Sequence, residues 1–457
     1  MRALWVVFAL ACRPPVSLQE GPDRASDTSG DTWDDSAPVE LRNPDEAVDL
    51  DPDPSVVRVH LVAAPMTHRI GDVEIAGYAY NGQTPGPTLR AKVGDTLIVE
   101  LVNDLDVETT IHWHGVAVPW AMDGVTWQSA PVPVGGDFIY TFTLNRAGTF
   151  WYHPHFDTER QVDLGLYGVL VVEDPADPVA EDERILVFDT WSEVHDHTEE
   201  NPANHHSLGS LPTTWTVNGL VNPVVRGQGG DRVRVRAVNV SNTGYLDLDP
   251  SRKIAGDQGL LPFADETSRS LLGPGDRSDF EWAMDASWTL TSRGYSLAGG
   301  PAWEDPFDLL QVEVASPVDA VALSWPFDGG LPSEDPGTTD ITYVFTGDSG
   351  AGGWMINGEQ FPEVTIETVE LGQEVVVEVR NLSASEHPFH LHGHHFEVLS
   401  TAGIPAPSLQ IEDTVNVRIG EAVRLKLLAD NPGDWMAHCH ILPHAHLGMM
   451  TVLRVLP

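Results

Sequence analysis

Polar and apolar residues alternate along most of the chain, as in Arg232-Val-Arg-Val-Arg-Ala-Val and the run Thr96-Leu-Ile-Val-Glu-Leu-Val. A period of two gives a strand one face for a core and one for solvent. Helical periodicity is almost absent, and 41 Gly and 35 Pro punctuate the sequence every few residues. The pattern also repeats. Asn81-Gly82 leads into Pro87 and then Gly94-Asp95 and a strand ending at Asn103. Asn218-Gly219 leads in the same way through Pro223 and Gly230-Asp231 to Asn239, and Asn357-Gly358 through Pro362 and Gly372 to Asn381. The Asn-Gly pairs are 137 and 139 residues apart, which is the length of a whole domain rather than of a solenoid unit. The reading is therefore all-β, with three consecutive antiparallel β-sandwiches of Greek-key type. Boundaries fall near 56–176, 177–318 and 319–457, at the Pro-rich breaks Asp174-Pro175-Ala-Asp-Pro178 and Ser316-Pro317.

The first 55 residues break this pattern. Met1-Arg2 and the apolar run Ala3–Ala11 resemble an export leader, and Cys12 follows where a lipoprotein would be cleaved and acylated. Residues 1–12 are thus expected to be a leader with a lipid anchor at Cys12. Residues 13–55, rich in Asp, Pro, Ser and Gly, are expected to form an acidic disordered linker. The chain would then be exported as a periplasmic, outer-membrane or cell-surface lipoprotein, or otherwise secreted.

Charge and cysteine content narrow the chemistry. The 457 residues carry 25 Lys+Arg against 68 Asp+Glu, a net charge of −43. Residues 1–55 account for −8 of it, leaving −35 on the rest. Such a balance repels phosphates and argues against a nucleic-acid partner. No apolar run reaches the roughly 18 residues of a membrane span, so no transmembrane segment is expected. Cysteine occurs only at positions 12 and 439, too few for a disulfide scaffold, which leaves Cys439 open to other chemistry.

Eight of the 19 histidines lie in four His-x-His pairs: His112/His114, His153/His155, His390/His392 and His438/His440. On a strand, residues i and i+2 share a face, so each pair presents two imidazoles side by side. Two pairs fall in the first predicted domain and two in the third. Gly148…His153-Pro-His155 and Gly433…His438-Cys-His440 share one spacing, and the middle domain has no equivalent. The middle domain reads as a spacer. Cys439 faces away from His438 and His440. With His387, His444 and Met449 it supplies the two His, one thiolate and one thioether of a blue-copper site.

His112-Trp-His114-Gly115, His153-Pro-His155, His387-Pro-Phe-His390-Leu-His392-Gly393 and His438-Cys-His440-Ile-Leu-Pro-His444, followed by Met449, resemble the four copper motifs of the multicopper oxidases. The likeness covers about 56–457 and is nearest to the bacterial three-domain laccases. It implies cupredoxin-like domains and four coppers per chain: one type 1, one type 2 and two type 3. It implies type 1 copper at His387, Cys439 and His444 with Met449 axial, and type 2 copper at His112 and His390. The type 3 pair would take His114, His153, His155, His392, His438 and His440. The implied reaction takes single electrons from a small reducing donor, passes them through Cys439, His438 and His440, and reduces O2 to water. The likeness also implies that Asp123, nine residues after His114, relays protons. Relatives often carry Glu directly after the last type 1 His, but this chain has Ala445 there, followed by His446.

The expected donor is a phenol or another electron-rich aromatic, and the expected state is monomeric. The alternative donor is a metal ion, Cu(I), Fe(II) or Mn(II). The eight Met form no cluster beyond Met449-Met450, which argues against a dedicated cuprous oxidase. A copper-free scaffold would lack ligands, and none is missing. The polar stretch with His195, His197, His205 and His206 reads as a solvated loop, and His394-His395 as neighbours of the copper motif.

Overall fold

The computed structural model describes residues 38–192, 213–249, 252–266, 269–295, 305–348 and 353–457. The leader, Cys12 and the His195–His206 stretch lie outside them. The described strands form six sheets, paired within 56–173, 182–315 and 341–456. Each pair encloses its own apolar core, built around Trp113 and Tyr152, Trp282 and Phe280, and Trp435 and Phe389 respectively. A further cluster holding Trp151, Tyr167, Val187, Val238 and Leu442 joins residues from all three pairs. No helix among the described residues is long and apolar enough to cross a membrane.

The repeated Asn-Gly pairs have a local cause. Asn81, Asn218 and Asn357 have φ of 52°, 52° and 57°, and the glycines after them 72°, 76° and 77°. A turn with both central residues left-handed favours Asn-Gly. Each Asn also braces the strand paired with the one it follows. Its Oδ1 accepts the N–H of Val62, Val187 or Val344, and its Nδ2 donates to the carbonyl of His60, Ile185 or Thr342. The asparagines that close the motif act alike: Asn103, Asn239 and Asn381 donate to the carbonyls of Val132, Leu272 and Val417.

Two expectations need correction. The sheets are mixed rather than purely antiparallel. Val56–Ile70 runs parallel to Thr96–Asn103, Asp182–Ser192 to Arg232–Asn239, and Ile341–Gly347 to Glu374–Asn381. The opposite sheets repeat this with Gly86–Lys92 and Gly168–Glu173, Val224–Gln228 and Phe307–Ala315, and Glu367–Glu370 and Met450–Leu456. Alternation sets which face is buried but not the direction of the neighbouring strand, and each parallel neighbour is reached by crossing over the other sheet.

The stretch expected to be a disordered linker to residue 55 is ordered from Pro38. Leu41 is fully buried in the second core, and Ala47 packs on the first. Leu41 N–H donates to the Val224 carbonyl at 2.7 Å, and Ala47 N–H to the Thr88 carbonyl at 2.9 Å. Asn43 bridges to the backbone of Glu183 and Ile185. A few apolar and amide side chains with backbone partners outweigh the acidic composition.

Candidate metal centre

Strand register brings the histidine pairs together. His112 faces His153 across one antiparallel pair, and His390 faces His438 across another. Across the two domains His112 stacks on His392 and His114 on His390, each with ring centroids 3.8 Å apart. Nε2 of His392 and Nε2 of His438 lie 3.0 Å apart. His155 and His440 complete the cluster, with centroids 5.4 Å from His438 and 4.8 Å from His114. The eight paired histidines therefore form one group.

Six of the eight rings are held through one nitrogen. Nδ1 of His112, His153, His390 and His438 lies 2.9–3.0 Å from the carbonyl of Asp123, Pro154, Asp413 and Cys439. Nδ1 of His392 lies 2.9 Å from Asp123 Oδ2. His114 is reversed: its Nε2 meets Thr414 Oγ1 at 3.1 Å and Asp413 Oδ1 at 3.2 Å. What remains is a set of buried nitrogens with no hydrogen-bond partner among the described residues. They are Nε2 of His112, His153 and His390, Nδ1 of His114, and both nitrogens of His440. Buried polar atoms are rarely left so, and a metal ion satisfies them. Burial, and then neighbouring imidazoles, hold His153, His155, His392 and His440 well below the usual imidazole range, and His438 falls to about 3. At neutral pH these rings are uncharged and offer lone pairs.

Cys439 lies on the other face of its strand, fully buried in the third core. Its Sγ is 3.4 Å from His387 Nδ1 and 3.6 Å from His444 Nδ1, and those two nitrogens are 3.1 Å apart. Met449 is fully buried in the same core, and its carbonyl accepts the Cys439 N–H. Burial pushes the thiol up and drops His387 to about 3. A soft cation is what makes a thiolate favourable there. Ser383 Oγ anchors His387 Nε2 at 2.6 Å, and the Trp354 ring lies 4.0 Å from that of His444. Two imidazoles and a thiolate, in a core that also holds the Met449 thioether, suit copper, and the orphaned nitrogens fit further ions of the same kind.

Asp123 is fully buried, and its carboxylate reaches both His392 and His112, the latter at 3.2 Å. Gly124, at φ 75°, closes the turn behind it, where a Cβ would strike the Ile111 carbonyl.

The middle sandwich is more than a spacer. Arg277, fully buried, donates to the Thr149 carbonyl, to the Gly275 carbonyl, and through both Nη atoms to the Asp413 carboxylate. Burial alone would raise Asp413, but Arg277 overrides it and holds the carboxyl well below the usual range. Asp413 in turn meets His114 and His390. Gly275, at φ 89°, passes so close to His440 that a Cβ would sit 2.9 Å from its Cγ. No spacing in the sequence marks these residues. His394 Nδ1 rests 3.3 Å from the His392 carbonyl, and His395 meets Arg146 at 3.3 Å.

Comparisons with known proteins agree with this chemistry. Two family models described as "Multicopper oxidase" match residues 64–177 and 333–457. The multicopper oxidase mco of Staphylococcus haemolyticus is 30% identical over 399 residues, which is 82% of this chain and 83% of that protein. A Campylobacter jejuni multicopper oxidase described as a metallo-oxidase superposes with a TM-score of 0.80 at 26% identity, covering 92% of this chain and 96% of the other. A laccase from Pediococcus acidilactici superposes with a TM-score of 0.79 at 26% identity, covering 92% and 94%.

Proposed function

This chain belongs to the multicopper oxidases, copper enzymes that use O2 as acceptor, and from that premise we propose a laccase-like oxidation of phenolic and other electron-rich aromatic donors. Bound copper supplies one-electron oxidation at the thiolate site and four-electron reduction of O2 at the histidine cluster. His387, Cys439, His444 and Met449 would hold type 1 copper, and His112 and His390 type 2. His114, His153, His155, His392, His438 and His440 would hold the type 3 pair.

One observation carries the reading: Cys439 belongs to the thiolate site while its sequence neighbours His438 and His440 belong to the cluster. A short covalent path therefore joins the site that meets a one-electron donor to the site where O2 needs four. Asp123, touching His112 and His392, would hold a proton for the oxygen being reduced. For the donor, the support is the likeness to the laccase from Pediococcus acidilactici; the Trp354 ring packed on His444 is itself buried. The alternative of a metal-ion donor has the Campylobacter jejuni metallo-oxidase and the net charge of −43 in its favour. Steady-state kcat/KM on a phenol and on Cu(I), measured side by side with the copper-loaded protein, decides between them. The phenol is expected to be preferred, and a tenfold preference for Cu(I) refutes the aromatic assignment. For location, we propose export and acylation at Cys12. Labelled fatty acid should be incorporated into the native chain and not into Cys12→Ala.

A further inference from the structure

The helices Thr158–Asp163 and Leu442–His446 lie side by side, and between them a cavity of about 180 Å³ opens to the surface. Its outer rim includes Trp127 and His446, both well exposed, and its inner wall includes His155 and the buried His438. The cavity therefore leads from solvent to the His155 and His438 part of the histidine cluster.

Reducing one O2 to two waters takes four protons as well as four electrons. An imidazole that holds a metal through one nitrogen and a carbonyl through the other is a poor carrier. Apart from His155 and His438, three side chains on the cavity wall can hold and release a proton: Asp157, Glu159 and His446. Asp157 is 35% exposed and paired with Arg160 at 3.5 Å, and His446 is 54% exposed, so both belong to the rim. Glu159 differs. Its side chain is only 8% exposed, on the first turn of its helix and four residues beyond His155. Across the cavity His446 Nδ1 is 3.9 Å from its Oε2, while Ala445 contributes only a methyl group to the opposite wall. His446 faces Glu159 from the other helix, its own helix also carries Arg160 and Asp163, and Asp157 immediately precedes that helix. Asn242, from the middle sandwich, donates to its carbonyl at 2.9 Å.

From this arrangement we infer that Glu159 is a proton-relay residue for O2 reduction, delivering protons to the His155/His438 side of the cluster. The inference rests on the copper assignment above. In each passage the carboxyl O–H breaks, its proton moves inward along cavity water, and an O–H of product water forms. The carboxylate then takes one proton back from bulk solvent through the rim. The side chain is unchanged over the cycle, and all electrons come from the donor. The position opposite, Ala445, carries no acid, so this carboxyl comes from the first sandwich rather than the third.

The test uses the copper-loaded full chain with Glu159→Gln and Glu159→Asp. Copper content, the blue absorption band and anaerobic bleaching by donor should match the wild type in both. O2 turnover of Glu159→Gln should fall about tenfold or more, most steeply at high pH where bulk protons are scarce. Glu159→Asp should recover part of the rate, as should Glu159→Gln with Ala445→Glu, which returns a carboxyl from the opposite wall. Independently of turnover, infrared titration of the copper-free protein should show one protonated-carboxyl band that answers to bulk pH and is missing in Glu159→Gln. A Glu159→Gln protein with wild-type turnover and pH profile overturns the proposal, as does a loss fully accounted for by lost copper. If the wild type lacks the blue band and O2 consumption, the copper assignment is what has failed.

Discussion

Arg277→Met is expected to destabilise the protein by about 3–5 kcal/mol, the range found when one partner of a buried ion pair is removed. The structure shows why the upper part of that range applies. Arg277 is fully buried and serves three sandwiches at once: the Thr149 carbonyl at 3.1 Å, the Gly275 carbonyl at 3.0 Å, and Asp413 Oδ1 at 2.8 Å with a second contact to Oδ2. Its neighbour Asp257 is buried as well, with a carboxylate oxygen 3.3 Å from Nη1. Methionine fills a similar volume but leaves Asp413 without its cation. The carboxyl, held low by Arg277, would then be pushed up by burial and take a proton. A protonated Asp413 no longer accepts from His114 and His390 as an ion, so both rings lose the partner that orients them. The measurement is urea unfolding of the copper-free and copper-loaded proteins, with copper counted per chain. Arg277→Met should lower the midpoint in both and lose copper from the cluster before the blue site. The double variant Arg277→Met with Asp413→Leu should regain part of the stability, because the Asp413 charge is removed with its partner while Asp257 still loses its cation, yet should not regain copper. A loss below about 1 kcal/mol with full copper in the single variant would refute the reasoning.

Three other outcomes follow from the same geometry. Cys439→Ser should abolish the blue absorption band while the histidine cluster still binds copper, read by optical and EPR spectra. His112→Ala should stop O2 consumption but leave anaerobic bleaching of the blue band by donor intact, since its ring belongs to the cluster alone. Leu41→Ala should cost about 2–5 kcal/mol in denaturant unfolding, because its side chain sits fully inside the second core.

The alternation of side chains and the Asn-Gly repeats made the three sandwiches legible, because a residue that must adopt positive φ and also brace a neighbouring strand has few substitutes. The His-x-His pairs were legible for an equally local reason: two residues apart on a strand means the same face. What escaped was non-local. Arg277 and Asp413 lie 136 residues apart and carry no motif, and only the meeting of the sandwiches turns them into a support for His114 and His390. Glu159 falls in a short polar helix whose sequence resembles any solvated turn, and its burial depends on the helix that faces it. Residues 38–55 were misread because composition averages over a segment, whereas Leu41 and Asn43 act singly.

That strap also constrains how the chain is made. Leu41 docks against Val224, and Ala47 against Thr88, so one end of the segment waits for a partner synthesised more than 180 residues later. The first described residues therefore cannot be locked until the second sandwich has left the ribosome and closed. Until then the buried face of Leu41 is exposed to other apolar surfaces, including another copy of itself. Assembly is vectorial for each sandwich but circular for the whole: a segment ahead of the first sandwich fastens onto the second. A fusion placed directly before Pro38 would load that clasp during its longest wait, and one placed farther upstream would leave it room to close.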